Sequence, residues 1–371
     1  MSLPFVVAPG IVAPYSTGPH APSVMRERGL DEVVRLASNE FPLPPVPGVQ
    51  DAIAVAIAGL NRYPDPQASE LRQAIAAHCG VPADHVAVGN GSAELLVLLG
   101  QALLAPDVEC VFAEPSFALY RRLCDLRGAA AVAVPLRDHT HDLAAMAAAV
   151  SPATALLIVC NPNNPTGTYV DARAVAEFVA EVPDRVLVVI DEAYHEFVDC
   201  DPAADATLEL VRHHENVCLT RTFSKIYGLG GLRVGYALCG PRVRQALDAC
   251  RQPFNVNQLA QVAAQEALRR QDEVERRRAV TGELREQLAA GLATAGVPSV
   301  PSQANFVLAD LRALDVQGPP PAVARLETRG VLVRDGAAFG LPGWARVSVG
   351  TLDEIQFLLD ALAEIAAVAR G

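Results

Sequence analysis

Seven short runs of Val, Ile, Leu, Ala and Cys recur between residues 86 and 238, with helical spacing between them, and this alternation most constrains the fold. The runs are Val86–Val88, Glu109–Ala113, Ala130–Val134, Ala155–Cys160, Val186–Ile190, Val217–Arg221 and Val234–Leu238. Helical stretches such as Ala93–Leu104, Phe117–Arg127 and Ala172–Val182 lie between them. Strands apolar on both faces and separated by helices belong to a sheet covered on both sides, so the reading is α/β with a mostly parallel seven-stranded sheet. A chain of 371 residues has room for about two domains at roughly 150 residues each. The remainder reads as a smaller α+β unit. Gln258–Ala295 has helical spacing, with Arg276-Arg277-Arg278 taken as a solvated helix face. A strand at Asn305–Ala309, a helix near Ala322–Arg329 and strands at Val331–Val333 and Ala345–Val349 follow, and Thr351-Leu-Asp-Glu354 is a capping box opening the last helix. The expected division is an arm over 1–37 attached to the small unit, a large domain over 38–257, and the small domain over 258–371.

Composition excludes several classes. Hydrophobic residues are 51% and charged residues 19%, enough for a large core, and the net charge of −12 disfavours a nucleic-acid or anionic-membrane surface. No apolar run approaches the roughly 18 residues of a membrane span, and no Lys or Arg precedes Arg26, so a signal peptide is not expected. A soluble, cytoplasmic protein is expected. The eight cysteines form no C-x-x-C pair and read as reduced core residues. Asp138-His139-Thr140-His141-Asp142 is read as a solvated loop with a helix N-cap at Thr140 or Asp142, and no metal is expected.

The cations are 29 arginines and one lysine, Lys225. A coding bias toward arginine explains the 29 and not the exception. Guanidinium stays charged and forms no Schiff base, so a position that needs a deprotonatable amine cannot exchange Lys for Arg. Lys225 is therefore the candidate for covalent catalysis.

Ligands of doubly wound sheets bind beyond the carboxyl ends of the strands, and the polar residues collect there. Val86–Val88 runs into Gly89-Asn90-Gly91-Ser92-Ala93-Glu94, a glycine turn before a helix N-terminus that suits a phosphate. Glu109–Ala113 leads to Phe117, and Ala155–Cys160 to the rigid turn Asn161-Pro162-Asn163-Asn164-Pro165-Thr166-Gly167. Val186–Ile190 ends at Asp191-Glu192-Ala193-Tyr194, and Val217–Arg221 at Thr222-Phe223-Ser224-Lys225, with Arg233 beyond. One rim thus carries an amine, an acid, an Asn, an aromatic ring, hydroxyls, an Arg and a helix N-terminus. Pyridoxal phosphate needs this set: a lysine for its aldehyde, an acid for its ring nitrogen, and a helix end with a cation for its phosphate.

These residues also resemble the histidinol-phosphate aminotransferase group of the class-I/II, fold-type-I aminotransferases over nearly the whole chain. The matching stretches are Leu36–Glu40, Arg62–Pro66, Gly89–Glu94, Asn161–Gly167, Asp191–Tyr194, Arg221–Lys225, Gly231–Gly235, Arg251–Asn257, Ser302–Phe306 and Arg346–Gly350. The resemblance implies a pyridoxal-phosphate transaminase that interconverts histidinol phosphate and 2-oxoglutarate with imidazole acetol phosphate and glutamate, in histidine biosynthesis, by a ping-pong Schiff-base mechanism. It implies that Lys225 holds the cofactor and then moves the proton, that Asp191 pairs with the ring nitrogen, and that Asn164 and Tyr194 bond the ring hydroxyl. Phe117 would stack on the ring. Ser92, Ala93, Thr222, Ser224 and Arg233 would hold the phosphate, joined by Tyr63 from the neighbouring subunit of a homodimer with shared sites. Arg346 would take the substrate anion, with Arg334, Tyr15 and Asn39 as further substrate contacts.

One departure leaves the substrate open. Phe41 follows Asn39-Glu40 where the family usually has a polar residue, near the substrate entrance, and enzymes that transaminate aromatic amino acids share most of these motifs. A decarboxylase using the same cofactor and a non-catalytic nucleotide-binding α/β protein are the remaining alternatives.

Overall fold

The computed structural model describes residue 18, residues 20–315 and residues 320–370. Its strands, in chain order, are β1 (Val34–Leu36), β2 (Val86–Gly89), β3 (Glu109–Glu114), β4 (Ala130–Pro135), β5 (Thr154–Cys160), β6 (Leu187–Asp191), β7 (Val217–Thr222), β8 (Gly235–Cys239), β9 (Ser299–Val300), β10 (Phe306–Asp310), β11 (Val331–Asp335) and β12 (Trp344–Ser348).

The seven expected runs form one sheet in the order β2-β8-β7-β6-β5-β3-β4. Strand β8 is antiparallel to both of its neighbours and the other pairs are parallel. Alternate residues feed two separate cores, as the period of two requires. Leu157, Val159, Val188, Ile190 and Leu219 face one core, whereas Leu156, Ile158, Leu187, Val189 and Cys218 face the other. Burying each such side chain contributes about 1.5–3 kcal/mol relative to leaving it in water, so neither face tolerates a register slip.

The second sheet has the order β1-β11-β12-β10-β9. Only β1, which is parallel to β11, comes from the N-terminal region, and it places Val34 and Leu36 in the small core while Arg35 stays exposed. The described part of the expected arm thus holds a helix, Ala21–Arg28, and a sheet strand. The capping box forms as expected: Thr351 N–H donates to Glu354 Oε2 at 2.7 Å and Glu354 N–H to Thr351 Oγ1 at 3.3 Å, ahead of the helix Leu352–Arg370.

Three expectations need correction. The helical stretch after residue 258 is two helices, Gln258–Leu268 and Gln271–Thr294, separated at Arg269–Arg270. Its arginine triplet is not a solvated face. Arg276 is exposed against Glu273, but Arg277 is buried and donates to Ile226 O at 2.9 Å and Pro44 O at 2.8 Å, and Arg278 donates to Glu196 O. The side chains at 276 and 277 point about 100° apart on a helix, so a run of like residues need not share one environment. Finally, Asp142 does cap its helix, accepting from Ala145 N–H, but the neighbouring His141 is buried, with Nε2 2.8 Å from Cys160 O.

Among the described residues no helix is long and apolar enough to cross a membrane, and no cluster of His, Cys, Asp and Glu could hold a metal ion. All eight cysteines are free; six are buried, Cys250 is half-buried and Cys200 is exposed.

The capping box yields a stability prediction. Thr351→Ala removes the side-chain acceptor for Glu354 N–H and should lower unfolding free energy by about 1 kcal/mol, measured as a lower denaturant midpoint at unchanged m-value. Equal midpoints would contradict the capping role.

Candidate active site

Strands β5, β6 and β7 run parallel and release their chains at one edge of the large sheet. There a cavity of about 390 Å³ opens, walled on the other side by Ala37–Asn39 and by Arg334 and Arg346 of the second sheet. Of the residues singled out in the sequence, it gathers Asn39, Ser92, Ala93, Phe117, Asn164, Asp191, Tyr194, Thr222, Ser224, Lys225, Arg233, Arg334 and Arg346. Tyr15 lies outside the described residues. Tyr63 is elsewhere, 82% exposed and stacked on Phe254 with ring centroids 4.5 Å apart.

Asp191 is the last residue of β6, and its carboxylate accepts from Tyr120 Oη at 2.7 Å and Thr220 Oγ1 at 3.1 Å. Burial pushes this carboxyl up against the pull of those two hydrogen bonds. It is an acceptor group set for a cation. The strand period turns the next residues to the opposite face, where Arg221 Nε meets Glu192 Oε2 at 2.7 Å as a buried ion pair.

Another wall of the cavity is built for an anion. The helix Ser92–Leu103 starts after Gly91, which lies at φ 83, and its first residues Ser92 and Ala93 face the cavity. A Cβ on Gly91 would stand 2.5 Å from Arg233 Nη2, and a Cβ on Gly235 would stand 2.5 Å from Ser92 N. Only glycine lets guanidinium and β8 approach this helix end so closely. Arg233 Nη1 donates to Ser224 Oγ at 3.2 Å, and Thr222 Oγ1 accepts from Ser224 N–H. Helix amides, a guanidinium and hydroxyls together make a phosphate cradle.

Lys225 lies between these groups, half-buried, and its Nζ donates to Asn39 O at 3.1 Å and Ser38 O at 3.3 Å. Burial, reinforced by Arg346 and then Arg233, lowers its pKa to about 7. Asn39 holds a left-handed backbone at φ 53 and donates from Nδ2 to Tyr194 Oη at 2.9 Å. Burial raises the Tyr194 phenol to about 12, with Arg346 and the Asn39 hydrogen bond pulling it down. On the second sheet, Arg334 and Arg346 are register partners across β11 and β12. Two guanidiniums side by side in a cleft repel each other, an arrangement that suits a doubly charged anion. Arg346 also donates from Nη1 to Asn164 Oδ1 at 2.7 Å and from Nη2 to Ala37 O at 2.6 Å. Arg334 is buried and lines the same cavity.

The donor set fits pyridoxal phosphate. Asp191 matches the ring nitrogen, Lys225 the aldehyde carbon and the Ser92–Arg233 cradle the phosphate, and the cradle depends on glycines at 91 and 235. Sequence reading missed Tyr120, Ser38, Cys160, Ser348 and Asn305. Ser38, Asn305 and Ser348 stand inside the matching stretches without having been singled out, and Tyr120 lies three residues after Phe117, one helical turn away. Phe41 needs correction. It packs on Phe197 with centroids 6.4 Å apart, lies under Arg277 at 4.7 Å, and lines a separate apolar cavity of about 240 Å³ with Leu43, Leu284 and Leu352.

The family model for aminotransferase class I and II matches residues 31–362. Histidinol-phosphate aminotransferase 1 of Cupriavidus pinatubonensis is 44% identical over 353 residues, which is 95% of this chain and 93% of the relative. Histidinol-phosphate aminotransferase of Moorella thermoacetica is 40% identical over 356 residues, 96% of this chain and 91% of that one. Among solved structures, histidinol-phosphate aminotransferase from Sinorhizobium meliloti in complex with pyridoxal-5'-phosphate matches with a TM-score of 0.85 at 29% identity, covering 99% of this chain and 96% of its own.

The Lys225 environment makes a pH prediction. A lowered amine pKa means that the neutral, nucleophilic form appears as pH rises through about 7, well below the ordinary 10.5. Acylation of the cofactor-free protein by an amine reagent, read on the Lys225 peptide, should rise with a midpoint near pH 7. Arg346→Gln removes a repelling charge and should move that midpoint upward. A wild-type midpoint near 10.5 would contradict the site electrostatics.

Proposed function

We propose that this chain, which belongs to the aminotransferase class I and II family, transfers the amino group of histidinol phosphate to 2-oxoglutarate, giving imidazole acetol phosphate and glutamate. The observation that carries the substrate is the cross-strand pair Arg334 and Arg346, which brings two guanidinium charges to the wall of one cavity. An α-carboxylate needs one such partner; a phosphate dianion is better matched by two. Phe41 lies in another cavity, which removes the feature that favoured an aromatic amino acid. The names of the similar proteins support the same substrate.

The cofactor is pyridoxal phosphate. When bound, it supplies an aldehyde carbon open to amine attack and an electron-poor ring that takes up charge as a Cα proton leaves. Asp191 would keep the ring nitrogen protonated, and its own position is fixed by Tyr120 and Thr220. Ser92, Ala93, Thr222, Ser224 and Arg233 would hold the phosphate, and Phe117 would cover the ring. Lys225 Nζ would make the covalent attachment and, once freed by substrate, would carry the proton from substrate Cα to the former aldehyde carbon. Its lowered pKa leaves a useful fraction neutral at physiological pH. Arg346 binds the substrate anion while holding Asn164 through Oδ1.

Our reading extends to the assembly and the domains. The active unit is a homodimer in which Tyr63 completes the phosphate site of the neighbouring subunit. Its support is the run of exposed apolar side chains Val55, Ile57, Leu60 and Tyr63, with Tyr63 stacked on the exposed Phe254. We take 38–257 as the cofactor domain and 258–371 with the arm as the small domain; the helix Gln258–Leu268, just past that division, packs against the helices Val49–Ala56 and Ser69–Cys79 of the large domain. Tyr15 is assigned to the substrate entrance on the resemblance of its motif, and the cytoplasm is the expected compartment.

The test is a single half-reaction followed by the cofactor spectrum. Histidinol phosphate should convert the yellow protein rapidly to the pyridoxamine form, and phenylalanine should do so at least about 100-fold more slowly, the discrimination expected of losing roughly 3 kcal/mol of anion contacts. The reverse preference would make the enzyme an aromatic aminotransferase. Release of CO₂ would make it a decarboxylase.

A further inference from the structure

Ser348, the last residue of β12, is 2% exposed. Its hydroxyl oxygen accepts from Asn39 N–H at 2.8 Å, and the hydroxyl donates to Asn39 Oδ1 at 3.2 Å. A serine hydroxyl has one hydrogen, so a backbone donor on its oxygen directs that hydrogen to the side-chain carbonyl. Asn39 Oδ1 is thereby fixed as the acceptor end of its amide, and Nδ2 is turned to Tyr194 Oη at 2.9 Å. Tyr194 then receives a hydrogen bond from Asn39 and its own O–H is left to donate elsewhere. Its residue lines the cavity.

The same logic holds two residues back on β12. Arg346 donates to Asn164 Oδ1, which leaves the Asn164 amide hydrogens as donors. Positions 346 and 348 lie on one face of the strand, and each orients a polar group of the large domain by occupying its acceptor. Asn305, beside the start of β10, closes the arrangement by donating from Nδ2 to Asn39 O at 3.1 Å, the carbonyl that also accepts from Lys225 Nζ. Every hydrogen-bonding group of Asn39 is used, on a backbone at φ 53 that Asn tolerates better than most residues.

We propose that Ser348 is a positioning residue: through Asn39 it sets the hydrogen-bond direction of Tyr194, so that the phenol is held as a donor toward the hydroxyl oxygen of the cofactor ring. This rests on the pyridoxal-phosphate reading given above. Asn39 accordingly acts within the protein, between Ser348, Tyr194 and Lys225, while lining the cavity. Two donors on one ring oxygen favour its anionic form, and the proton it shares with the lysine-derived nitrogen is then lost at lower pH. Without Ser348 the Asn39 amide can reverse, Tyr194 donates to Oδ1, and the ring oxygen loses one donor.

The experiment is a pH titration of the yellow lysine-linked chromophore by visible absorption in the holoenzyme. Ser348→Ala should keep the chromophore and raise the midpoint of its colour change by about 0.5–1 pH unit, the range of one net hydrogen bond. Ser348→Thr retains the hydroxyl and should restore the wild-type midpoint. In a Tyr194→Phe background, Ser348→Ala should add no further shift, since the residue it orients is gone. A yellow Ser348→Ala protein with an unmoved midpoint, or a shift that simply adds to that of Tyr194→Phe, would overturn the relay while leaving the cofactor reading intact. A wild-type chain that forms no chromophore would overturn both. If Ser348→Ala gives no folded protein, Ser348→Val against Ser348→Thr poses the same question at equal volume, and equal midpoints for that pair would overturn the relay.

Discussion

A carboxylate at the end of a strand with no exposed residue must find compensation, and much of the architecture around Asp191 provides it. Neighbouring β7 brings Thr220 to one oxygen, and the helix Leu119–Arg127 brings Tyr120 to the other. Neither partner is a cation, so the site keeps an unmatched negative charge at one wall and unmatched positive groups, Arg233 and Lys225, at others. That separation defines what can bind: a flat molecule with a protonatable ring and a phosphate. The strand period keeps a second charge system apart from it. Arg221 and Glu192 pair on the opposite face, joined by Asp205 and His195, so the sheet itself insulates a closed ion network from an open one.

The second sheet contributes control more than binding area. Strand β12 sends Arg346 to Asn164 and Ser348 to Asn39, and β11 adds Arg334 beside Arg346. Lys225 is held by the turn at 38–39, which belongs to neither sheet and is itself tied to Ser348 and Asn305. The Lys225 amine, the Tyr194 phenol and the cavity arginine Arg346 are therefore coupled through one short turn with a left-handed residue at its centre. A change of register between the sheets would disturb all three.

The large sheet was legible because both of its faces are apolar, a pattern that only a doubly covered sheet explains, and every expected strand appears within a residue or two. The cavity wall was legible for the same reason: polar residues at the carboxyl ends of apolar strands have one place to go. The tertiary hydrogen bonds were not. Ser348 and Asn39 are 309 residues apart, and Tyr120 and Asp191 are 71 apart. No periodicity links such pairs. Phe41 was misread because proximity in sequence to Asn39 suggested proximity to the site, whereas the side chain lies against Phe197 and Arg277. Arg277 was misread because a triplet of arginines looks solvated until one of them meets the carbonyls of Ile226 and Pro44.

The central claim is that the single lysine of the chain carries the cofactor. Borohydride reduction of the yellow protein followed by peptide mass spectrometry tests it without reference to any substrate. The account predicts a stable pyridoxyl mass increment on the peptide containing Lys225 and on no other. Loss of colour without an adduct at Lys225, or an adduct confined to the N-terminal amine, would contradict it.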